Sequence, residues 1–104
     1  MGAARLSEEE LDAALKALSS AQRRQIVRLL VEHSAIADKT CCGSEEVCAC
    51  KLSERLGLAE STISHHMSVL KKAGLVTARK DGTWVYYTVR RDVLALVASA
   101  IEGM

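Results

Sequence analysis

Lys51-Leu52-Ser53-Glu54-Arg55-Leu56-Gly57-Leu58-Ala59-Glu60-Ser61-Thr62-Ile63-Ser64-His65-His66-Met67-Ser68-Val69-Leu70-Lys71-Lys72-Ala73-Gly74 is the stretch that decides the fold. Leu52 and Leu56 lie four apart on one helical face, and Gly57 supplies the left-handed residue on which a helix ends. A second helix follows from about Glu60 to Ala73, with Ile63, Met67 and Leu70 at i, i+4 and i+7 as its buried stripe, and Gly74 stops it. Two short helices about a glycine turn are the helix-turn-helix pattern.

Burying that stripe leaves Ser61, Thr62, Ser64, His65 and Ser68 on the outside, all short or planar hydrogen-bonding groups near the start of the helix. Such groups read base edges in a major groove, while Lys71 and Lys72 in the last turn suit phosphates. His65 and His66 are helical neighbours and point in different directions, so they do not make a shared metal site.

Beyond Gly74, Leu75-Val76-Thr77-Ala78-Arg79 and Thr83-Trp84-Val85-Tyr86-Tyr87-Thr88-Val89 are two β-prone runs around Lys80-Asp81-Gly82, a hairpin signal. The hairpin forms a wing with a basic tip, and Arg79 and Lys80 join the DNA-binding candidates. Trp84, Tyr86 and Tyr87 read as packing for the hairpin. From Val93 to Ile101, Leu94, Val97 and Ile101 align on a last helix too apolar to stand exposed, which suits a dimer seam shared with the first helix. That first helix is predicted over 7–18: Ser7 and Glu10 have capping-box spacing, and Leu11, Leu15 and Leu18 form the stripe. A second helix from about Ala21 to His33 turns Ile26, Leu29 and Leu30 inward and Arg23, Arg24 and Arg28 outward, as phosphate contacts or as plain surface charge. The expected fold is mostly α with a β-hairpin: a winged helix-turn-helix of about five helices and a two-stranded wing, one domain over 1–104. Within it, 48–74 is the helix-turn-helix, 75–89 the wing, and 7–18 with 91–102 the dimerisation helices.

With 104 residues, 49% of them hydrophobic and 26% charged, the chain fits one domain small enough to favour dimerisation. Glu8, Glu9, Glu10 and Asp12 exclude a signal peptide or a membrane span at the N-terminus. The expected compartment is the cytoplasm, where clustered cysteines mean metal binding or redox chemistry more often than structural disulfides. The net charge of +1 is unevenly placed, since Lys71, Lys72, Arg79, Lys80, Arg90 and Arg91 stand against Asp81 alone between Ser61 and Arg91. That field suits phosphate.

All four cysteines fall within Thr40-Cys41-Cys42-Gly43-Ser44-Glu45-Glu46-Val47-Cys48-Ala49-Cys50, read as a polar loop leading into the helix-turn-helix. The stretch Ser61 to Val76, the wing from Arg79 to Tyr87 and Val47-Cys48-Ala49-Cys50 together resemble the ArsR/SmtB family of metalloregulatory repressors, over most of the chain from about residue 10 onward. The resemblance implies a homodimer that represses a resistance or efflux operon and leaves its operator DNA when a toxic metal or metalloid binds, with no permanent cofactor and no catalysis. In thiol-type members a Cys-x-Cys opens the first helix of the motif, which matches Cys48 and Cys50. The third cysteine of the arsenic type falls here on Ser53, so a third thiolate is expected from Cys41 or Cys42. The family's zinc site on the terminal helix is not expected, because Asp92 and Glu102 have no histidine there. Ala59 stands where the family often carries a capping serine.

An all-sulfur site selects thiophilic ions over magnesium, calcium or manganese. Three thiolates suit pyramidal As(III) or Sb(III), four suit tetrahedral Cd(II) or Zn(II), and Pb(II) takes either number. The reading favours Cys48, Cys50 and Cys42 around an arsenite-like ion, with Cys41 as the fourth ligand of a cadmium, lead or zinc site. Residues two apart on a regular helix point apart, so ion binding is expected to unwind the start of that helix and shift the reading heads. The competing readings are a structural zinc knot or buried thiols, a thiol-redox regulator, and a protein-binding winged helix. A thiol enzyme is weak, since no Cys-x-x-Cys stands beside a βαβ pattern and no glycine-rich cofactor loop exists.

Overall fold

The structure, a computed structural model, describes residues 5–36 and 46–104. The elements run α1 (Glu8–Ala17), α2 (Ala21–Ile36), β1 (Val47–Cys48), α3 (Ala49–Leu56), α4 (Glu60–Lys72), β2 (Val76–Asp81), β3 (Trp84–Val89) and α5 (Arg91–Glu102). No described helix is long and apolar enough to cross a membrane.

Helix α1 starts on the predicted capping box. The Ser7 hydroxyl accepts from the Glu10 amide at 3.1 Å, and the Glu10 carboxylate accepts from the Ser7 amide at 2.8 Å. Its buried face is Leu11, Ala14 and Ala17, whereas Leu15 is 36% exposed. The predicted Leu11–Leu15–Leu18 stripe is therefore rotated: small Ala14 and Ala17 let α1 lie close against α4, and Leu15 turns outward. Helix α2 runs a turn past the predicted His33 and buries Ile26, Val27 and Leu30.

Helix α3 ends on Gly57, whose φ of 68° is the left-handed conformation the sequence demanded, and the Gly57 amide donates to the Ser53 carbonyl at 2.9 Å. Helix α4 follows after three residues, 57–59, and buries Ile63, His66, Met67 and Leu70. Strands β2 and β3 pair antiparallel with Asp81 opposite Trp84, so the turn is Gly82-Thr83 and not the predicted Lys80-Asp81-Gly82. Gly82 has a φ of 64° at the first turn position and Thr83 keeps a negative φ, the distribution of a type II′ turn.

Among the described residues a third strand joins the two-stranded wing. β1, within the stretch read as loop, pairs antiparallel with β3, giving the order β1-β3-β2. Tyr87 on the central strand is buried in the core with Val89, Val76, Leu75 and Val47. Tyr86 is half-buried and Trp84 is 55% exposed, so Trp84 does not serve as hairpin packing.

Candidate metal centre and nucleic-acid interface

Cys48 closes β1 with an extended backbone, φ −67° and ψ 142°, and serves as the N-cap of α3 without a side-chain capping bond. Cys50 is the second residue of that helix. Only one of the two is helical, so the rule that residues two apart diverge does not operate, and the two Sγ atoms lie 2.8 Å apart. The expected unwinding of the helix start is thus unnecessary for these thiols to face one point. Cys48 is half-buried and Cys50 exposed, and both are free thiols. The Cys50 thiol is pushed up, first by the hydrogen bond it shares with Cys48, then by desolvation and the charges of Cys48 and Glu60, with the Lys51 amide opposing. The proton on Cys50 is one a thiophilic ion displaces on binding.

Cys41 and Cys42, the other two sulfur candidates, lie outside the described residues. Among the described residues no group of three or more His, Cys, Asp or Glu side chains could hold a metal. Ser53 is turned into the helix-turn-helix corner, its hydroxyl donating to the Leu58 carbonyl. On α5 the Asp92 carboxylate takes both Nε and Nη2 of Arg90, at 3.1 and 2.9 Å, and this partner holds its carboxyl below the usual range.

The outer face of α4 presents Ser61, Ser64, His65, Ser68, Lys71 and Lys72 to solvent, with Thr62 half-buried. Ser64 shares a hydrogen bond with the Tyr87 hydroxyl, which opposes the upward push of burial on that phenol. Between α4 and the wing runs a groove of about 290 Å³ lined by Ser64, Ser68, Lys71, Lys80 and Tyr87 among others. Lys80 is an exposed cation beside it. Arg79, in contrast, is already engaged: its Nε and Nη2 donate to the two Glu46 carboxylate oxygens at 2.7 and 3.0 Å, and its guanidinium lies 4.8 Å from the centre of the Tyr86 ring.

Two of the α2 arginines have structural work instead of phosphate. Arg23 Nε donates to the Ala17 carbonyl at 2.6 Å and Arg24 Nη1 to the Leu18 carbonyl at 2.8 Å, satisfying the open C-terminus of α1. Arg28 is exposed. The buried His66 donates from Nε2 to the Gln22 amide oxygen at 2.8 Å and receives Arg23 Nη1 at Nδ1 at 3.5 Å, so its partners fix a neutral imidazole. Sequence reasoning assigned no polar partner to His66, Glu46 or Tyr87. Their roles depend on contacts between distant parts of the chain, for which single-chain periodicity carries no signal.

The sequence profile of the bacterial regulatory protein arsR family matches residues 20–78. The chain is similar to an arsenical resistance operon repressor of Staphylococcus aureus, 38% identical over 86% of this chain and 74% of that one. It is also similar to the cadmium resistance transcriptional regulatory protein CadC of Listeria innocua serovar 6a, 35% identical over 72% of this chain and 54% of that one. Among solved structures, the homodimeric winged helix-turn-helix DNA-binding domain of a Mycobacterium bovis protein superposes with a TM-score of 0.68 at 28% identity, over 94% of this chain and 86% of that one.

Proposed function

Since the chain belongs to the arsR family of bacterial regulatory proteins, and is a DNA-binding transcriptional regulator and not an enzyme, we propose that it is a homodimeric cytoplasmic repressor. It releases its operator when As(III) or Sb(III) binds the cysteine cluster. The observation that carries this reading is the convergence of the Cys48 and Cys50 thiols, 2.8 Å apart, at the joint between β1 and the first helix of the DNA-reading motif. Cys42 completes a three-thiolate site, the donor number and softness that a pyramidal trivalent metalloid takes. The arsenic relative supports this reading. The cadmium relative supports a second one, in which Cys41 joins the other three thiolates around Cd(II), Pb(II) or Zn(II).

On the DNA side, α4 lies in the major groove with Ser61, Thr62, Ser64, His65 and Ser68 toward base edges, while Lys71, Lys72 and Lys80 meet phosphates and Arg79 lies at the wing. The second copy docks on α1 and α5. A groove of about 440 Å³ there is lined by Leu6, Leu11, Leu96, Ala100 and Met104 among others, and the exposed Leu15 and Ile101 lie on the same two helices.

The test is anaerobic titration of the reduced protein on its own upstream DNA, followed by fluorescence anisotropy, with arsenite, cadmium, lead and zinc in separate arms. Arsenite near one equivalent per site is expected to lower DNA affinity by about 5–150-fold, the range of a 1–3 kcal/mol coupling. Cys48→Ser should keep DNA binding and lose release. Release by divalent ions alone moves the conclusion to the four-thiolate site, and normal arsenite release from Cys48→Ser rejects the cysteine site.

A further inference from the structure

We infer that Glu46 is a positioning residue that couples the cysteine site to the wing, acting through Arg79; this inference rests on the sensing reading above. Cys48 on β1 is the register partner of Tyr86 on β3, and Tyr86 is the register partner of Arg79 on β2. One rung of the sheet therefore runs from a candidate ion ligand to a basic residue of the wing. Glu46, two positions before Cys48, closes that rung into a loop of contacts. Its carboxylate takes Arg79 bidentately at 2.7 and 3.0 Å, and the same guanidinium lies over the Tyr86 ring.

Stability alone does not explain the arrangement. The Arg79 and Glu46 side chains are 53% and 26% exposed, and ion pairs at that exposure contribute little. A bidentate pair does fix direction, because the planar fork holds only one relative placement of its partners. β1 is two residues long and pairs with β3 through Val47 and Cys48 alone. An ion drawn onto Cys48 and Cys50 displaces this short strand, and Glu46 transmits the displacement to Arg79 and so to the angle of the wing.

The test compares the full-length protein with Glu46→Gln and with the exchanged pair Glu46→Arg/Arg79→Glu. Each is titrated with arsenite while DNA anisotropy and the loss of reagent-accessible thiols are followed in parallel. Glu46→Gln is expected to capture arsenite at the wild-type stoichiometry yet lose less than about threefold in DNA affinity, where the wild type loses tens of fold. Its ion-free DNA binding should be at least as tight as wild type, with a salt slope steeper by about one, because Arg79 becomes available to phosphate. The exchanged pair should regain release relative to Glu46→Gln. If the wild type and Glu46→Gln release DNA at the same arsenite dose, the coupling role is wrong while the sensor stands. If the wild type protects its thiols without releasing DNA, or does not bind arsenite, the sensing reading falls and this role falls with it.

Discussion

His66 is 9% exposed and held neutral by Gln22 and Arg23, 44 and 43 positions away in sequence. Burial, then the positive charge of Arg23, then that of His65, lower its pKa below the ordinary value. In the unfolded chain the imidazole protonates near pH 6.5, roughly the free value, whereas the folded chain refuses that proton until lower pH. The unfolded state thus binds the proton first as pH falls. The stability conferred is full above the unfolded value and is lost as pH descends through the depressed folded one. Thermal melts of the wild type from about pH 7.5 to 5.5, a window spanning the free histidine value, should show a fall in Tm that His66→Gln flattens. Parallel slopes for the two proteins would reject the assignment. The sequence put His65 on the outer face of α4 and its neighbour His66 in a different direction, without placing His66 in the core. Gln22 and Arg23 were hidden, because nothing local marks which distant helix a buried polar group meets.

At the scale of elements, α4 starts without a side-chain cap. Ala59 is its N-cap, extended at φ −62° and ψ 150°, and supplies no side-chain acceptor to the free amides of the first turn. Its backbone already has the capping conformation, so Ala59→Ser should stabilise the protein by about 1 kcal/mol. The check is the urea midpoint at unchanged m-value, and no gain would mean that the first-turn amides are satisfied by water. The helices were legible because each joins an apolar repeat to a stop: Leu52 and Leu56 before Gly57, and Ile63, Met67 and Leu70 before Gly74. β1 was not, for Val47–Cys48 is too short to show alternation and exists because β3 offers it an edge. That strand also decides the cysteine geometry, so the missing element and the mistaken divergence of Cys48 and Cys50 have one cause. The wing was legible in kind, and its turn slipped along the chain because Lys80 and Asp81 extend β2 instead of bending it.

For the molecule as a whole, the proposed dimer seam is the apolar surface of α1 and α5. Ile101 is 49% exposed and Met104 80%, beside the groove that Leu11 and Leu96 help to line. Placing a charge there should break the dimer without touching the core, since only Val97 of α5 is fully buried. Ile101→Glu is expected to run as a monomer by light scattering and to bind a two-half-site operator at least about a hundredfold more weakly, through loss of bivalency. An intact dimer mass would place the seam elsewhere. The apolar run from Val93 to Ile101 is legible in the sequence and Ile101 is exposed, while Leu15, read into one stripe with Leu11 and Leu18, lies outside the buried face of Leu11, Ala14 and Ala17.

The two ends of the cysteine-bearing stretch have a longer consequence. On either side of it stand α2, which ends at Ile36, and β1, which begins at Val47, and both contribute to the core through Leu30 and Val47. A change of length between two fixed elements costs little loop-closure entropy. Over many generations, descendants of this chain can therefore move a cysteine or insert a residue between those elements and acquire a taste for a different ion. The surface that reads their genomes passes down unaltered.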